Sequence, residues 1–251
     1  MIDFPLWLAP AFFAIAMIYS MAGFAGGSSY LFVLTLAGIS HTQAPQIALL
    51  CNIVVSSCVF WTFSRAGHFD FKKNLPFVLA SVPAAYLGAC FTLPKAFFYG
   101  LLGFSLIVAA SCLLFSGREA KDVLEISARR LWAAGLAAGG VLGFLSGLLG
   151  IGGGIFLSPL LLLLRWADAK KAAAAASFFI LVNSLSGLIG QIQKGSSVWN
   201  EALPVLVLMA FMGGQAGAYL SAKRLPQIAV QRATALIALY VSVNWIGKAL
   251  F

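Results

Sequence analysis

Gly150-Ile151-Gly152-Gly153-Gly154 interrupts a long apolar run, and Gly23-Phe24-Ala25-Gly26-Gly27 interrupts another about half a chain earlier. Without these clusters each run would read as an ordinary membrane helix. Glycine loosens a helix and lets other backbone approach closely. In hydrocarbon, a broken helix persists only where its freed backbone groups are buried in protein or line a cavity. Two such breaks at equivalent places in a duplicated chain are the sequence mark of a transporter's binding site.

The surrounding sequence belongs in a bilayer. Of 251 residues, 61% are hydrophobic and only 9% charged, and the mean hydropathy is +0.97. Apolar segments lie near 5–22, 28–39, 43–64, 74–93 and 96–116, then near 131–149, 154–165, 171–192, 201–221 and 228–250. Several reach the roughly 20 residues that span a bilayer. The net charge of +9 fits loops facing the cytoplasm rather than a nucleic-acid partner. The first twenty residues lack a basic start and run on into further apolar sequence, so no removable signal peptide is expected. Cys51, Cys58, Cys90 and Cys112 fall in apolar runs without a CxxC spacing, and read as small buried residues. No His/Cys/Asp/Glu cluster has metal-ligand spacing, so no metal or cofactor is expected. A nucleophile–base pair is equally absent from the pattern, so an enzyme is not expected.

The second series of segments repeats the first. At an offset of 127, Gly23, Gly26 and Gly27 fall on Gly150, Gly153 and Gly154; at 128, Ser56 falls on Ser184, Gly67 on Gly195, Leu75-Pro76 on Leu203-Pro204 and Lys95 on Lys223. Proline suits the first turn of a helix, so the Leu-Pro match reads as two helix starts. The expected division is a first repeat over 1–116, a polar cytoplasmic linker over 117–130 and a second repeat over 131–251.

Charge decides between two foldings of the repeat. The segments after the glycine breaks have about 12 residues, or roughly 18 Å of helix, short of a hydrocarbon core of about 30 Å. If each broken pair made one crossing, Lys and Arg would divide nine against seven across the membrane. If each pair folds back as a hairpin, thirteen lie on one side and only Lys95, Lys194 and Lys248 on the other. The positive-inside rule selects the hairpin. The expectation is an all-α polytopic membrane protein of two inverted repeats, each a glycine-tipped broken-helix hairpin plus three crossing helices, with both termini outside. Trp61, Trp132 and Trp166 then fall near cytoplasmic ends, and Trp7, Trp199 and Trp245 near outer ends, as interfacial rings should.

The site follows from that folding. A helix starting after each tip presents unpaired N–H groups and a positive dipole end, a ready cradle for an anion. Each end contributes about 0.3–1 kcal/mol, up to about 2 when partly buried, which suits a carrier that must also release its cargo. The candidate residues are Gly26, Gly27, Gly152, Gly153 and Gly154 at the tips. Ser28 and Ser29 add hydroxyls there or cap the helix. Asn52 and Ser56 lie in the next helix of the first half, and Ser177, Asn183 and Ser184 in that of the second. Gln215 lies amid Gly213-Gly214-Gln215-Ala216-Gly217. Close helix packing by the glycines and helix–helix hydrogen bonding by the amides are the plainer alternatives. No Lys, Arg, Asp or Glu lies in mid-span, so the site relies on dipoles and neutral donors. Gln191 and Gln193 sit near the outer end of their helix, at the vestibule.

The stretch Ser146-Gly-Leu-Leu-Gly-Ile-Gly-Gly-Gly-Ile-Phe-Leu-Ser-Pro159, with the Ala/Ser-rich helix 172–186 and Gln193-Lys194-Gly195 after it, resembles the hallmark of the TauE/SafE sulfite-exporter family. The first tip departs from that pattern, with Gly26-Gly27-Ser28-Ser29 and with Phe32 at the place of Pro159. The resemblance covers nearly the whole chain. It implies a secondary transporter, an exporter by family habit, of a small sulfur-containing anion such as sulfite or an organosulfonate across the bacterial inner membrane. The partners are then that anion and the bilayer, with monomer or homodimer left open. A small-anion channel and an uptake permease for thiosulfate or sulfate are the competing readings.

Overall fold

A computed structural model of the protein describes residues 5–115, 123–124, 126–194, 203–224 and 227–250. Gly195, Trp199, most of the linker and the C-terminal residue, all used in the sequence argument, lie outside the described residues. The architecture is all-helical: α1 Leu8–Met21, α2 Gly27–Leu36, α3 Ala44–Arg65, α4 Phe71–Cys90, α5 Lys95–Phe115, α6 Ala128–Leu149, α7 Gly154–Leu163, α8 Ala169–Ile192, α9 Leu203–Arg224 and α10 Gln227–Leu250.

Five of these are long and apolar enough to cross a bilayer: α3, α5, α6, α8 and the Leu203–Ser221 part of α9. Helices α4 and α10 match them in length, at 20 and 24 residues. They are more polar, with Lys72, Lys73 and Asn74 in one and Gln227, Gln231 and Arg232 in the other. The outer surface carries large apolar side chains, among them Phe104 at 64%, Tyr240 at 66% and Val243 at 64% exposed. A surface of that kind suits lipid rather than water. The protein is a polytopic membrane protein.

The two halves share local turns as well as composition. After α1, the Phe24 N–H donates to the Tyr19 carbonyl at 2.9 Å; 127 residues on, after α6, the Ile151 N–H donates to the Ser146 carbonyl at 3.2 Å. The Tyr30 N–H closes the first turn of α2 on the Gly26 carbonyl, and the Leu157 N–H closes that of α7 on the Gly153 carbonyl. Gly26 and Gly153 are the N-cap residues of these short helices, with φ of 96° and 75°. That left-handed backbone favours glycine.

Packing between the halves repeats too. Helix α6 runs beside α4, and a Cβ at Gly139, Gly143 or Gly147 would overlap the backbone of Phe77, Ser81 or Ala85. Helix α1 runs beside α9 in the same manner, with Gly213 and Gly217 against the carbonyls of Phe13 and Met17. Small residues permit this approach, and dispersion contacts hold apolar helices together where no water is expelled. Helices α3 and α8 pack against one another and against the α9 and α4 partners of the opposite half. The chain reverses at the second tip: Leu124, just before α6, donates its N–H to the Arg165 carbonyl, just after α7, at 2.9 Å.

Two expectations need correction. Leu75-Pro76 does not begin α4. Asp70 caps the helix by accepting from the Lys73 N–H at 3.3 Å, so it starts at Phe71 and Pro76 falls in its second turn. The capping carboxylate outweighs the proline as a start signal. Trp245 is not an interfacial ring: it is fully buried, with Tyr99 at 4.8 Å and Phe32 at 5.9 Å between ring centroids. Trp7, Trp61 and Trp132 are exposed, and the Arg65 guanidinium lies over the Trp61 ring at 4.4 Å.

Candidate functional site

The two glycine tips meet. A Cβ at Gly27 would sit 2.9 Å from the carbonyl oxygen of Ile151 and 2.5 Å from Nδ2 of Asn52. One at Gly152 would sit 3.1 Å from the same Asn52 nitrogen and 2.9 Å from Oγ of Ser184. Asn52 of α3 and Ser184 of α8 thus close the junction from the two packed helices. The tips reach across in matching fashion elsewhere: a Cβ at Gly23 would overlap Ala173, and one at Gly150 would sit 2.5 Å from the Pro45 Cβ.

The polar atoms gathered there are conspicuous for lacking partners. Asn52 and Ser184 are fully buried, and Asn52 Nδ2, Asn52 Oδ1 and Ser184 Oγ have no hydrogen-bond partner. Ser146 is also fully buried, its Oγ unpartnered and 3.1 Å from the Cβ position of Gly153. Leaving a buried polar group unsatisfied costs about 1–3 kcal/mol. A cluster of them is expensive structure with no packing return, which makes the junction the candidate ligand site. The first N–H groups of α2 and α7 add backbone donors, since they have no intrahelical acceptor.

Other candidates are spent locally or turned away. Ser56 Oγ donates to the Asn52 and Ile53 carbonyls at 2.5 and 3.3 Å. Ser177 Oγ donates to the Ala174 carbonyl at 2.8 Å. Asn183, next to Ser184 on α8, is fully buried with its amide unpartnered. Gln215 is exposed, because Gly213, Gly214 and Gly217 occupy the packed face of α9; the structure does not bring it to the site. Ser28 and Ser29 are buried but do not cap α2, whose N-cap Gly26 makes no side-chain bond. Ser29 Oγ instead donates to Tyr19 Oη at 2.8 Å.

Sequence reasoning missed Tyr19, Tyr30 and Ser146. The Tyr30 hydroxyl is buried without a partner, its ring stacked on Phe12 at 4.6 Å. Tyr19 and Ser146 stand 127 residues apart beneath Gly26 and Gly153. Carrying the glycine offset back one helical turn would have found that pair.

A cavity approaches from each end of the bundle. One, of about 740 Å³, is lined by His68, Lys72, Lys73 and Lys171 with Phe77, Leu161 and Trp166. Burial, then the charge of Lys170, pushes the His68 imidazole below its usual range, and Asp70 also lines this cavity. The other, of about 210 Å³, is lined by His41, Pro45, Leu148, Gln191 and Lys194, and so reaches the flank of the second tip through Pro45. Lys194 Nζ donates to the Phe91 carbonyl at 2.6 Å, and burial lowers its pKa. Gln193 holds the Tyr86 hydroxyl at 2.6 Å. Between these cavities the centre is shut, with Asn52, Ser146 and Ser184 all at 0% exposure.

The sequence model of the family described as "Sulfite exporter TauE/SafE" matches residues 8–245. The chain belongs to this family. Within it, the chain is 34% identical over 219 residues to a protein of Sinorhizobium fredii named "Probable membrane transporter protein y4hK", covering 87% of this chain and 88% of the relative. It is 28% identical over 233 residues to "Probable membrane transporter protein YunE" of Bacillus subtilis, covering 81% and 84%. No solved structure matches. Membership in the TauE/SafE family makes the chain a multi-pass protein of membrane transport.

Proposed function

We propose that the protein is a secondary transporter that exports a small sulfur-containing anion, such as sulfite or an organosulfonate, across the bacterial inner membrane by alternating access. Residues 1–116 and 131–251 are the two repeats, inverted across the membrane and joined by a cytoplasmic linker over 117–130. The observation that carries this reading is the junction of the tips, where Gly27 and Gly152 both face the unpaired amide of Asn52. Helix starts pointing at one spot favour an anion. Rocking of one repeat against the other would open that spot to each cavity in turn.

A closed centre between two cavities favours a carrier over an open channel. The family name supplies the cargo: it speaks of sulfite. In proteoliposomes, saturable flux of labelled sulfite or a short sulfonate is expected, with thiosulfate and sulfate as comparison anions. Absence of saturable flux for all four would end this reading, and unitary currents in planar bilayers would replace the carrier with a channel. Orientation is checked by cysteines introduced at Asp122 and Phe251, with Cys90 and Cys112 replaced by serine. Membrane-impermeant thiol reagents should reach position 122 only from the cytoplasm and position 251 only from outside. Labelling of both from one face would exclude the inverted arrangement.

A further inference from the structure

Asn52 offers the centre an acceptor beside a donor. Its Oδ1 and Nδ2 are both buried and both unpaired, so the conclusion does not depend on which way the amide is turned. A fully ionised oxyanion can satisfy only the N–H side. Against the amide oxygen it would set lone pair against lone pair, leaving that acceptor unsatisfied at full desolvation cost. The edge that fits an amide is a donor next to an acceptor, the HO–S=O edge of an acid. The hydroxyls of Ser146 and Ser184 rotate to serve as donor or acceptor and accept either form of cargo.

Charge points the same way. Among the described residues no Lys, Arg, His, Asp or Glu is buried. The cost of desolvating an ion grows with the square of its charge, so a dianion costs about four times as much as a monoanion. Helix ends and neutral donors offset one negative charge far more readily than two. Resting on the function proposed above, we infer that the site takes a singly charged oxyanion carrying its own hydrogen-bond donor, that sulfite therefore crosses as hydrogensulfite, one proton with each anion, and that of the two cargo classes sulfite is preferred over an organosulfonate, which has no O–H to donate. No bond is made or broken in the protein: HOSO2⁻ enters, leaves unchanged and re-equilibrates with SO3²⁻ and H⁺ on the far side.

The titratable groups near the centre are Tyr19 of α1, Tyr30 of α2 and Cys51 of α3, while the residues that α6 and α8 bring to the tips, Ser146, Ala176, Phe179, Ile180 and Ser184, carry no ionisable group. The chain's two histidines lie one in each cavity, His68 in the larger and His41 in the smaller. Other ionisable groups accompany them: Asp70, Lys72, Lys73 and Lys171 in the one, and Lys194 in the other.

The test is sulfite flux in proteoliposomes at fixed total sulfite, with equal pH on both sides and the leak of protein-free vesicles subtracted. A trapped pH-sensitive dye counts protons. Flux should fall with rising pH in proportion to the hydrogensulfite fraction, each entering anion should acidify the lumen by the fraction that dissociates there, approaching one proton per sulfite at alkaline pH, and equimolar sulfate should not compete. Saturable sulfite flux that holds or rises as the dianion takes over, or that sulfate inhibits equally, overturns the inference and leaves the transporter standing. A double variant, His41→Gln with His68→Gln, should keep the same pH profile. A flattened profile would assign the pH dependence to the protein and also overturn the inference. No saturable flux of any sulfur anion would remove the proposed function itself.

Discussion

A single methyl group at position 27 should stop transport while the protein still folds. Gly27 is the first residue of α2, a position where alanine is a better helix former than glycine. Its φ is not among the positive values of this chain, so Gly27→Ala adds no backbone strain. The new Cβ would sit 2.5 Å from Asn52 Nδ2 and 2.9 Å from the Ile151 carbonyl oxygen, closer than real Cβ contacts come. The amide must swing away and the tips must part. Overpacking of this kind costs about 1–3 kcal/mol, and if the cost falls on the loaded centre, flux drops about tenfold for each 1.4 kcal/mol. We expect at least a tenfold loss of maximal sulfite flux with membrane insertion and thermal midpoint near wild type. Gly100→Ala is the control, because its Cβ would meet only Ala249 at 3.8 Å and should leave flux unchanged. Wild-type flux in Gly27→Ala would take the first tip out of the mechanism.

Asn52→Leu should separate activity from stability in opposite directions. Leucine keeps asparagine's branched heavy-atom skeleton, though with bulkier methyl ends, and places no polar atom at the junction. It removes two unsatisfied atoms whose burial costs about 1–3 kcal/mol, so thermal unfolding in detergent should occur at or above the wild-type midpoint. Flux should nevertheless fall to the level of protein-free vesicles, because the cargo loses the side-chain amide that both tips face. A variant with lower stability and retained flux would make Asn52 a structural residue. That pairing of outcomes distinguishes a binding amide from a helix–helix glue residue, which would lose stability when removed.

The helices were legible because glycine and proline punctuate long apolar runs. The apolar segment near 43–64 became α3 at 44–65, and that near 154–165 became α7 at 154–163. Boundaries failed where polar residues belong to a helix by capping. Lys72 and Lys73 lay outside the apolar segment near 74–93, yet Asp70 draws them into α4. The tips were legible from the glycines, and Asn52 and Ser184 from the rarity of polar groups in mid-span. Which polar groups were free was not legible. Ser56 and Ser177 bond to their own helix backbone, a choice set by rotamer, while Gln215 lost its place to the glycines that take the packed face of α9. Tyr19 and Tyr30 were overlooked because an aromatic ring in an apolar run reads as core, and here the ring is core while only the hydroxyl belongs to the centre.

The two tips are copies with different contacts. Gly27 faces Asn52, whereas Gly154, its counterpart, faces Ile180, which stands where Asn52 does in the other half. A carrier made of identical inverted halves would be isoenergetic in its two end states and would rest half the time on each side. In the carrier proposed above, the difference between Asn52 and Ile180 breaks that degeneracy. A difference of about 1.4 kcal/mol holds the empty protein tenfold longer on one side. The half-saturation concentrations measured from the two faces must then differ, though the gradient alone still decides which way net cargo flows. Exchanging the pair, with Asn52→Ile and Ile180→Asn in one chain, would invert that kinetic polarity.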